Sequence, residues 1–205
     1  MTLLDNDFAE ACARGNLNEV KMILAKYPNT DVNHRQDIAF RRACTYGHLK
    51  LAQWLLENYP HIDPHNVDDY AFRYTCEEGH LDVAQWLVEV SKDKPVNVHA
   101  HNEDAFRSAC RKGHLDIVKW LLETFPDINI RTEDDDAFYS SCIHGHLEIA
   151  KLLYPVCGNL EENTRRKMLW STVYNSHFET ADWIFQNYPE IVFTGKNFLS
   201  LCDSG

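Results

Sequence analysis

Apolar residues recur along this chain with a helical spacing inside short segments. Residues 37–46 place their apolar side chains on one side of a helix, and Gly47 follows, where a left-handed backbone commonly ends a helix. Residues 49–56 form a second segment with one apolar side, and Tyr59 and Pro60 end it. The pattern therefore predicts a helix, a tight glycine turn, an antiparallel helix and an extended loop. The apolar residues of the first segment are Ala39, Phe40, Ala43 and Cys44.

The same unit returns down the chain, marked by Phe, then Cys four residues later, Gly three further and usually His-Leu. Self-similarity at a period near 32 residues is typical of a solenoid, in which each unit buries its apolar side by stacking on its neighbours. The sequence therefore predicts an all-α solenoid. The cysteines step by 32, 32, 34 and 32 residues. The copies begin at Phe40, Phe72, Phe106 and Phe138, with a variant at Phe8 and a degenerate copy at Leu169.

The period divides residues 1–205, taken as a single domain, into about six repeats and a partial C-terminal cap. Extra residues between Trp86 and Pro95 predict either a longer second helix or a bulged loop in the third repeat. Residues 198–205 match residues 106–113 in Phe, Ser, Cys and Gly, and they predict one helix that covers the sixth repeat. The predicted repeats are residues 5–36, 37–68, 69–102, 103–134, 135–166 and 167–194, and the cap is residues 195–205.

Residues 105–122 closely resemble the ankyrin repeat, and residues 96–98 and 128–130 resemble the entry to that family's loop, or finger. The resemblance implies an ankyrin-repeat solenoid that works as a protein-protein interaction module or adaptor. A partner would bind its concave face, without catalysis. The sequence departs from the family where Arg41, Arg73 and Arg107 replace a His. Its Phe-Arg and Lys-Trp-Leu segments are similar to those of ankyrin arrays in large DNA viruses and in microbes living inside protists.

The chain is acidic, with 20 Lys and Arg against 31 Asp and Glu and a formal net charge of −11. That charge argues against generic nucleic-acid binding, which needs a positive surface, and it fits a partner with basic patches. No apolar stretch approaches the roughly 20 residues that span a bilayer, and the N-terminus lacks the features of a secretory signal. We therefore expect a monomer, cytoplasmic or nuclear, that binds a protein and neither nucleic acid nor a membrane.

The repeated cysteines and histidines are the apparent candidates for catalysis or metal binding. Neighbouring helices lie about 8–10 Å apart, beyond the roughly 7 Å reach of a disulfide and far beyond shared zinc ligation. A Cys–His pair could supply a nucleophile and its base, but a pattern repeated along the array does not build one catalytic site. We predict buried reduced thiols, no enzyme, no metal and no cofactor. The resemblance implies that the histidines hydrogen-bond to the backbone. They are His48, His80, His114, His146 and His177.

Other periodic residues have structural interpretations. Tryptophans on the second helices are predicted to lie in the core between repeats, because a stripe at repeat spacing is usually packing. Arg41, Arg73 and Arg107 each follow an acid by four residues, which predicts helical ion pairs of about 0.2–0.5 kcal/mol. The alternative is an arginine row that faces an acidic partner. Residues 133–136 are acidic, and we interpret them as a solvated finger tip. The tryptophans are Trp54, Trp86, Trp120 and Trp183, and the acids are Asp37, Asp69 and Glu103.

Positions that vary from repeat to repeat are the candidates for partner binding. The resemblance places the first helices and the finger tips on a concave face, and Tyr, Trp and Arg are the residues that dominate binding hot spots. A structural spacer, or a fragment of a larger ankyrin protein whose effector domain lies outside this chain, is the alternative function. The candidate partner-binding residues are Arg42, Tyr46, Tyr70, Tyr74, Glu78, Arg111, Lys112, Tyr139, His144, Trp170 and Tyr174.

Overall fold

The structure is a computed structural model that describes residues 3–191, with side chains described from Asp7 onward. Within that range it contains twelve α-helices and no β-strand. None of these described helices is long and apolar enough to cross a membrane. The helices are α1 (Leu3–Ala13), α2 (Leu17–Lys26), α3 (His34–Thr45), α4 (Leu49–Asn58), α5 (Asn66–Glu78), α6 (Leu81–Val90), α7 (Ala100–Lys112), α8 (Leu115–Thr124), α9 (Thr132–Ile143), α10 (Leu147–Cys157), α11 (Glu162–Tyr174) and α12 (Phe178–Asn187).

The helices form a stack of hairpins, as the repeat pattern predicts. Each odd-numbered helix from α1 to α9 packs on the next odd-numbered helix and also on the even-numbered helix that follows it. The all-α solenoid is therefore confirmed. In the third repeat, α6 has 10 residues, like α4 and α8, so the extra residues lie in the loop that begins at Ser91. The bulged loop is the correct alternative there.

The phenylalanines that begin the repeated units form the centre of the core. Phe40 and Phe72 are fully buried, and the ring of each lies near a tryptophan of the next repeat. The ring centroids of Phe40 and Trp86 are 6.3 Å apart, and those of Phe72 and Trp120 are 6.4 Å apart. These pairs join consecutive repeats, so the structural interpretation is confirmed for Trp86 and Trp120. Trp54 and Trp183 are also partly buried against the core. Burial of one such side chain contributes about 1.5–3 kcal/mol.

The described cysteines are buried and free. Burial raises the pKa of the Cys12 and Cys157 thiols to about 12, and it also raises the pKa of the others. A thiol with a raised pKa stays protonated at neutral pH and is a poor nucleophile. The prediction of small buried thiols is confirmed for residues 12 to 157. Cys202 and the predicted cap, residues 195–205, lie outside the described residues.

Each glycine turn is closed by a histidine ring from the following repeat. Gly47 has a φ of +76°, and a Cβ atom there would lie 2.4 Å from Nδ1 of His80. His48 Nε2 lies 2.8 Å from the carbonyl oxygen of Ala13, and His146 Nε2 lies 2.9 Å from that of Arg111. The backbone hydrogen bond expected of these histidines is thus present for His48 and His146. Glycine is required at the turn for two reasons, its backbone conformation and the ring above it.

Gly47→Ala is expected to lower the free energy of unfolding by about 2 kcal/mol or more, of which about 1–2 kcal/mol comes from the left-handed backbone. The remainder comes from displacement of the His80 ring, so the cost should be smaller in a His80→Ala background. Urea unfolding of the two single variants and the double variant measures this coupling. An equal cost of Gly47→Ala in both backgrounds would show that the ring plays no part.

The fingers contain a feature that the sequence pattern did not predict, a left-handed turn at the start of α3, α5, α7 and α9. Three consecutive non-glycine residues in each have φ between +49° and +64°. Asp37, expected to begin a right-handed helix, has φ +60° and is buried. That expectation is wrong, since the helix proper begins after the turn. The turns are residues 35–37, 67–69, 101–103 and 133–135.

A buried carboxylate stabilises each of the first three turns. In the turn at residues 67–69, Oδ1 of Asp69 lies 2.6 Å from His65 Nδ1, and Oδ2 accepts the backbone N–H of Asn97 at 2.9 Å. The acid therefore links its own finger to the finger of the next repeat. Two further acids accept the equivalent N–H: Asp37 from Asp63 at 3.1 Å, and Glu103 from Asn129 at 3.2 Å.

The arginines that follow these turns bind their backbone instead of the acid four residues before. Arg73 donates from Nε to the carbonyl of Asp68 at 2.9 Å and from Nη2 to that of Val67 at 3.3 Å. Its Nη1 reaches Asp104 of the next repeat at 2.7 Å. The predicted i,i+4 ion pairs are wrong, because the left-handed turn directs the acid toward the next finger. Arg107 makes the same contacts with Asn102, His101 and Asp136.

The acidic finger at residues 133–136 is only partly solvated. Glu133 and Asp134 are exposed, but Asp135 is buried and accepts two hydrogen bonds of 2.9 Å from Arg131. Asp136 accepts from Arg107. The solvated-tip interpretation is therefore wrong for the second half of the run, because Asp135 occupies the buried acid position of its repeat.

Candidate functional site

The predicted partner-binding residues all lie on the odd-numbered helices or on the residues that end them. We call this surface the odd-helix face: the accessible side of α1, α3, α5, α7, α9 and α11 with their C-terminal residues. Tyr46 ends α3 and His144 ends α9. The other candidates lie within α3, α5, α7, α9 and α11. Because these helices pack side by side, residues distant in sequence come together on this face.

Three tyrosines lie together on the odd-helix face, one at the end of α3 and two on α5. Tyr70 and Tyr74 are one turn apart on α5, and their rings stack with centroids 3.9 Å apart at an angle of 16°. Tyr46 is 52% exposed and close enough to Tyr70 to affect its titration. We call Tyr46, Tyr70 and Tyr74 the tyrosine cluster. Burial, followed by the neighbouring Tyr74, raises the pKa of Tyr70, so its phenol is neutral at physiological pH.

Charged candidates around the cluster pair with residues of the preceding repeat. Arg42 bonds to Glu10, which joins α3 to α1. Arg111 Nη2 lies 3.2 Å from Glu77, and Lys112 lies 3.8 Å from Glu78, so both pairs join α7 to α5. Partly exposed pairs of this kind contribute about 0–1 kcal/mol each. Their charges are therefore paired within the protein.

The C-terminal candidates form a second, smaller aromatic group. Trp170 and Tyr174 of α11 have ring centroids 6.3 Å apart, and Tyr174 is 76% exposed. Tyr139 is half-buried and packs against the core. His144 is exposed and donates from Nδ1 to the carbonyl of Ser140 at 2.9 Å. The candidates thus divide into the tyrosine cluster, the paired charges near it, Tyr139 of α9 with His144 at its end, and the aromatic pair on α11.

Arg41 belongs to the tyrosine cluster, although the sequence pattern assigned it to an ion pair. Its guanidinium carbon lies 4.6 Å from the centroid of the Tyr70 ring, within the range of a cation–π contact. Its Nε and Nη2 donate to the carbonyls of Gln36 and Arg35 at 2.9 and 2.8 Å. The sequence did contain a signal for this difference. Tyr70, Asp104 and Asp136 occupy equivalent positions in three consecutive repeats, and only the first of them is not an aspartate.

The pKa values of the histidines at the glycine turns and of a finger histidine shift in opposite directions. Burial lowers the pKa of His80 and His146, whereas the hydrogen bond that His99 donates to the Glu103 carboxylate raises the pKa of His99. The unfolded pKa is about 6.5. Stability from His146 is therefore full above that pH and is lost as the pH falls, whereas stability from His99 is full below it and is lost as the pH rises.

A comparison of His146→Gln with His99→Gln checks this difference. The destabilisation caused by His146→Gln should shrink between pH 7 and pH 5, and that caused by His99→Gln should shrink as the pH rises above 7. Chemical unfolding at each pH gives both values. Parallel pH profiles for the two variants would contradict the assigned environments.

Within the described residues, the structure is that of an all-helical repeat protein whose units stack through their odd-numbered helices. Two stretches, residues 40–88 and 106–153, match the family described as ankyrin repeats (many copies). The chain belongs to the ankyrin-repeat family, whose members are generally protein-protein interaction modules and typically non-catalytic. A comparison with curated proteins finds no match.

Proposed function

We propose that this chain is a protein-binding module, or adaptor, whose partner occupies the odd-helix face as a concave surface. The observation that carries the proposal is the tyrosine cluster, a partly exposed group of aromatic rings in a region where Arg42, Arg111 and Lys112 pair with acids of the preceding repeat. Tyrosine provides a large contact area with few rotatable bonds and is enriched among binding hot spots. No step of catalysis is part of this function.

The stack favours binding because the contact residues are held in place before a partner arrives. Tyr70 and Tyr74 stack on each other. Arg41, which is held by two hydrogen bonds to backbone carbonyls, contacts the Tyr70 ring. Side chains already fixed in the free protein lose less conformational entropy on association. A partner therefore gains most of the contact energy of the rings.

Affinity capture with the purified chain tests the proposal. The wild-type chain is immobilised beside a Tyr46→Ala/Tyr74→Ala variant and a control variant, Gln53→Ala/Gln85→Ala, on the even-numbered helices. A loss of about 2 kcal/mol at one hot spot corresponds to about a 30-fold weaker affinity, so the variant that lacks both tyrosines should bind at least 30-fold more weakly. The control should retain the wild-type affinity.

The same experiment separates this function from that of a structural spacer. A spacer gives no protein whose capture depends on the tyrosines. A captured protein that both variants bind equally would also reject the odd-helix face as the binding surface. Circular dichroism of each variant shows whether the helices are intact.

A further inference from the structure

Arg73 and Arg107 each bind a carboxylate that Arg41 does not have. Arg73 and Arg107 each use Nε and Nη2 to bind the left-handed turn of their own repeat, and each uses Nη1 to bind an aspartate of the next repeat. The Nη1–carboxylate distances are 2.7 Å to Asp104 and 3.0 Å to Asp136. The position beyond Nη1 is therefore a carboxylate site, filled twice from within the protein.

Arg41 makes the first two contacts but not the third. It binds the carbonyls of Gln36 and Arg35, whereas Tyr70 stands at the position that Asp104 and Asp136 occupy in the other repeats. No side-chain carboxylate of residues 7–191 forms an ion pair with Arg41 within 4.0 Å. The nearby acid, Asp37, is directed to the next finger, where it accepts the backbone N–H of Asp63.

The surroundings of Arg41 strengthen the attraction for an anion. The side chain is partly exposed, and the Tyr70 ring covers part of its guanidinium group, so the charge is only partly solvated. A guanidinium group remains a cation at any physiological pH. An ion pair in such a partly desolvated place is stronger than one in open water, because the effective dielectric constant is lower.

We propose that the protein partner inserts the carboxylate of an Asp or Glu side chain against Nη1 of Arg41, beside the tyrosine cluster. The inference rests on the proposed function and names the chemistry of that partner. The inserted acid completes at the second repeat the contact that Asp104 and Asp136 make at the next two. A carboxylate is chosen over a phosphate because the chain itself fills this position with carboxylates.

The net charge limits the rest of the partner. At −11 the chain repels a broadly acidic surface, and salt screens such repulsion only beyond about 8–10 Å. The partner segment therefore carries an isolated acid within an apolar or neutral stretch, which packs on Tyr46 and Tyr74. This composition distinguishes it from an acidic tail.

A Tyr70→Asp variant tests the inference by supplying the missing carboxylate from within. The substitution reproduces the arrangement of the next two repeats, so the fold should be retained and Arg41 neutralised. Binding of the captured partner should be at least tenfold weaker for Tyr70→Asp than for Tyr70→Asn, which removes the same ring without supplying a carboxylate. Arg41→Gln gives a second variant should Tyr70→Asp not fold. Its matched control is Arg107→Gln. This variant loses the same two turn contacts, but at a repeat where Asp136 of the chain itself, and not a partner, supplies the carboxylate.

A direct probe does not depend on the captured partner. The peptide acetyl-Ala-Asp-Ala-amide is titrated into the ¹⁵N-labelled chain, with the Asn and phosphoserine versions in parallel. The Arg41 Nε–H signal should shift in a saturable way with the Asp peptide only, and the shift should disappear in Tyr70→Asp. Equal shifts with the Asn peptide, or shifts with the phosphoserine peptide alone, would overturn the carboxylate assignment.

The two proposals fail in different ways. Should Tyr46→Ala/Tyr74→Ala abolish capture while Tyr70→Asp and Arg41→Gln bind normally, the odd-helix face stands and the carboxylate is rejected. Should none of these variants affect capture, both are rejected.

Discussion

Replacing Phe106 with Ala is expected to lower the free energy of unfolding by about 3–5 kcal/mol. The ring is fully buried in the central repeat, where the neighbouring repeats cover both of its sides. Removing it leaves a cavity that rigid helix packing closes only in part. Since each repeat gains its stability mainly from its neighbours, the loss should also loosen the repeats on either side. Urea unfolding followed by circular dichroism measures the total effect.

Phe178→Ala is the matched control, because it removes the same side chain from a position that is 67% exposed. It should change the free energy of unfolding by no more than about 0.5 kcal/mol. Similar losses for the two variants would mean that the Phe106 ring is not part of a closed core. Hydrogen exchange then shows whether the loss spreads, with reduced protection expected in α5 and α9.

Asp69→Ala is expected to cost about 2–4 kcal/mol, because it removes a buried acceptor of two hydrogen bonds and each polar group left without its partner costs about 1–3 kcal/mol. The backbone N–H of Asn97 and the side chain of His65 both lose their acceptor. The left-handed turn also loses the contact that ties it to the next finger. Thermal unfolding should show a lower midpoint. Limited proteolysis should show greater sensitivity in residues 91–99.

Asp68→Ala tests whether the effect belongs to the buried carboxylate and not to the turn itself. Asp68 has nearly the same backbone conformation, with φ +54° against +56° for Asp69, but its carboxylate is exposed. Its contact with His101 at 3.3 Å lies in solvent, so the cost should stay below about 1 kcal/mol. Equal costs for the two variants would assign the effect to backbone conformation alone.

The core of this fold could be predicted from sequence because each repeat uses the same residues for the same purpose. Phe40, Cys44, Gly47 and His48 have roles set by local geometry and by contact with an identical neighbour. A pattern that recurs at a fixed period reports such contacts directly. The helices, the glycine turns and the buried thiols follow from it.

The left-handed turns could not be predicted in the same way. Residues such as Val67 and Asp69 rarely adopt positive φ, and no glycine marks the turn. The conformation is stabilised by contacts that close only in the stack: a carboxylate to the next finger and an arginine to two carbonyls. Local preference indicates an ordinary helix start there, and this error also produced the mistaken i,i+4 ion pairs.

The candidate site could also be predicted only in part. Variation between repeats identified the aromatic residues of the odd-helix face, but it did not show that Tyr70 stacks on Tyr74 or that Arg41 joins them. The special position of Arg41 depends on a residue of the next repeat. Comparing equivalent positions in consecutive repeats, once the arginine contacts are known, makes this difference visible.

Hydroxyl-radical footprinting of the chain with its captured partner tests the central claim most directly. We expect protection of Tyr46, Tyr74 and Tyr174 on the odd-helix face, with unchanged oxidation of Met22 and Phe178, which are 72% and 67% exposed and lie on even-numbered helices. Protection of Met22 or Phe178 with unprotected Tyr46 and Tyr74 would contradict the claim that partners bind the odd-helix face.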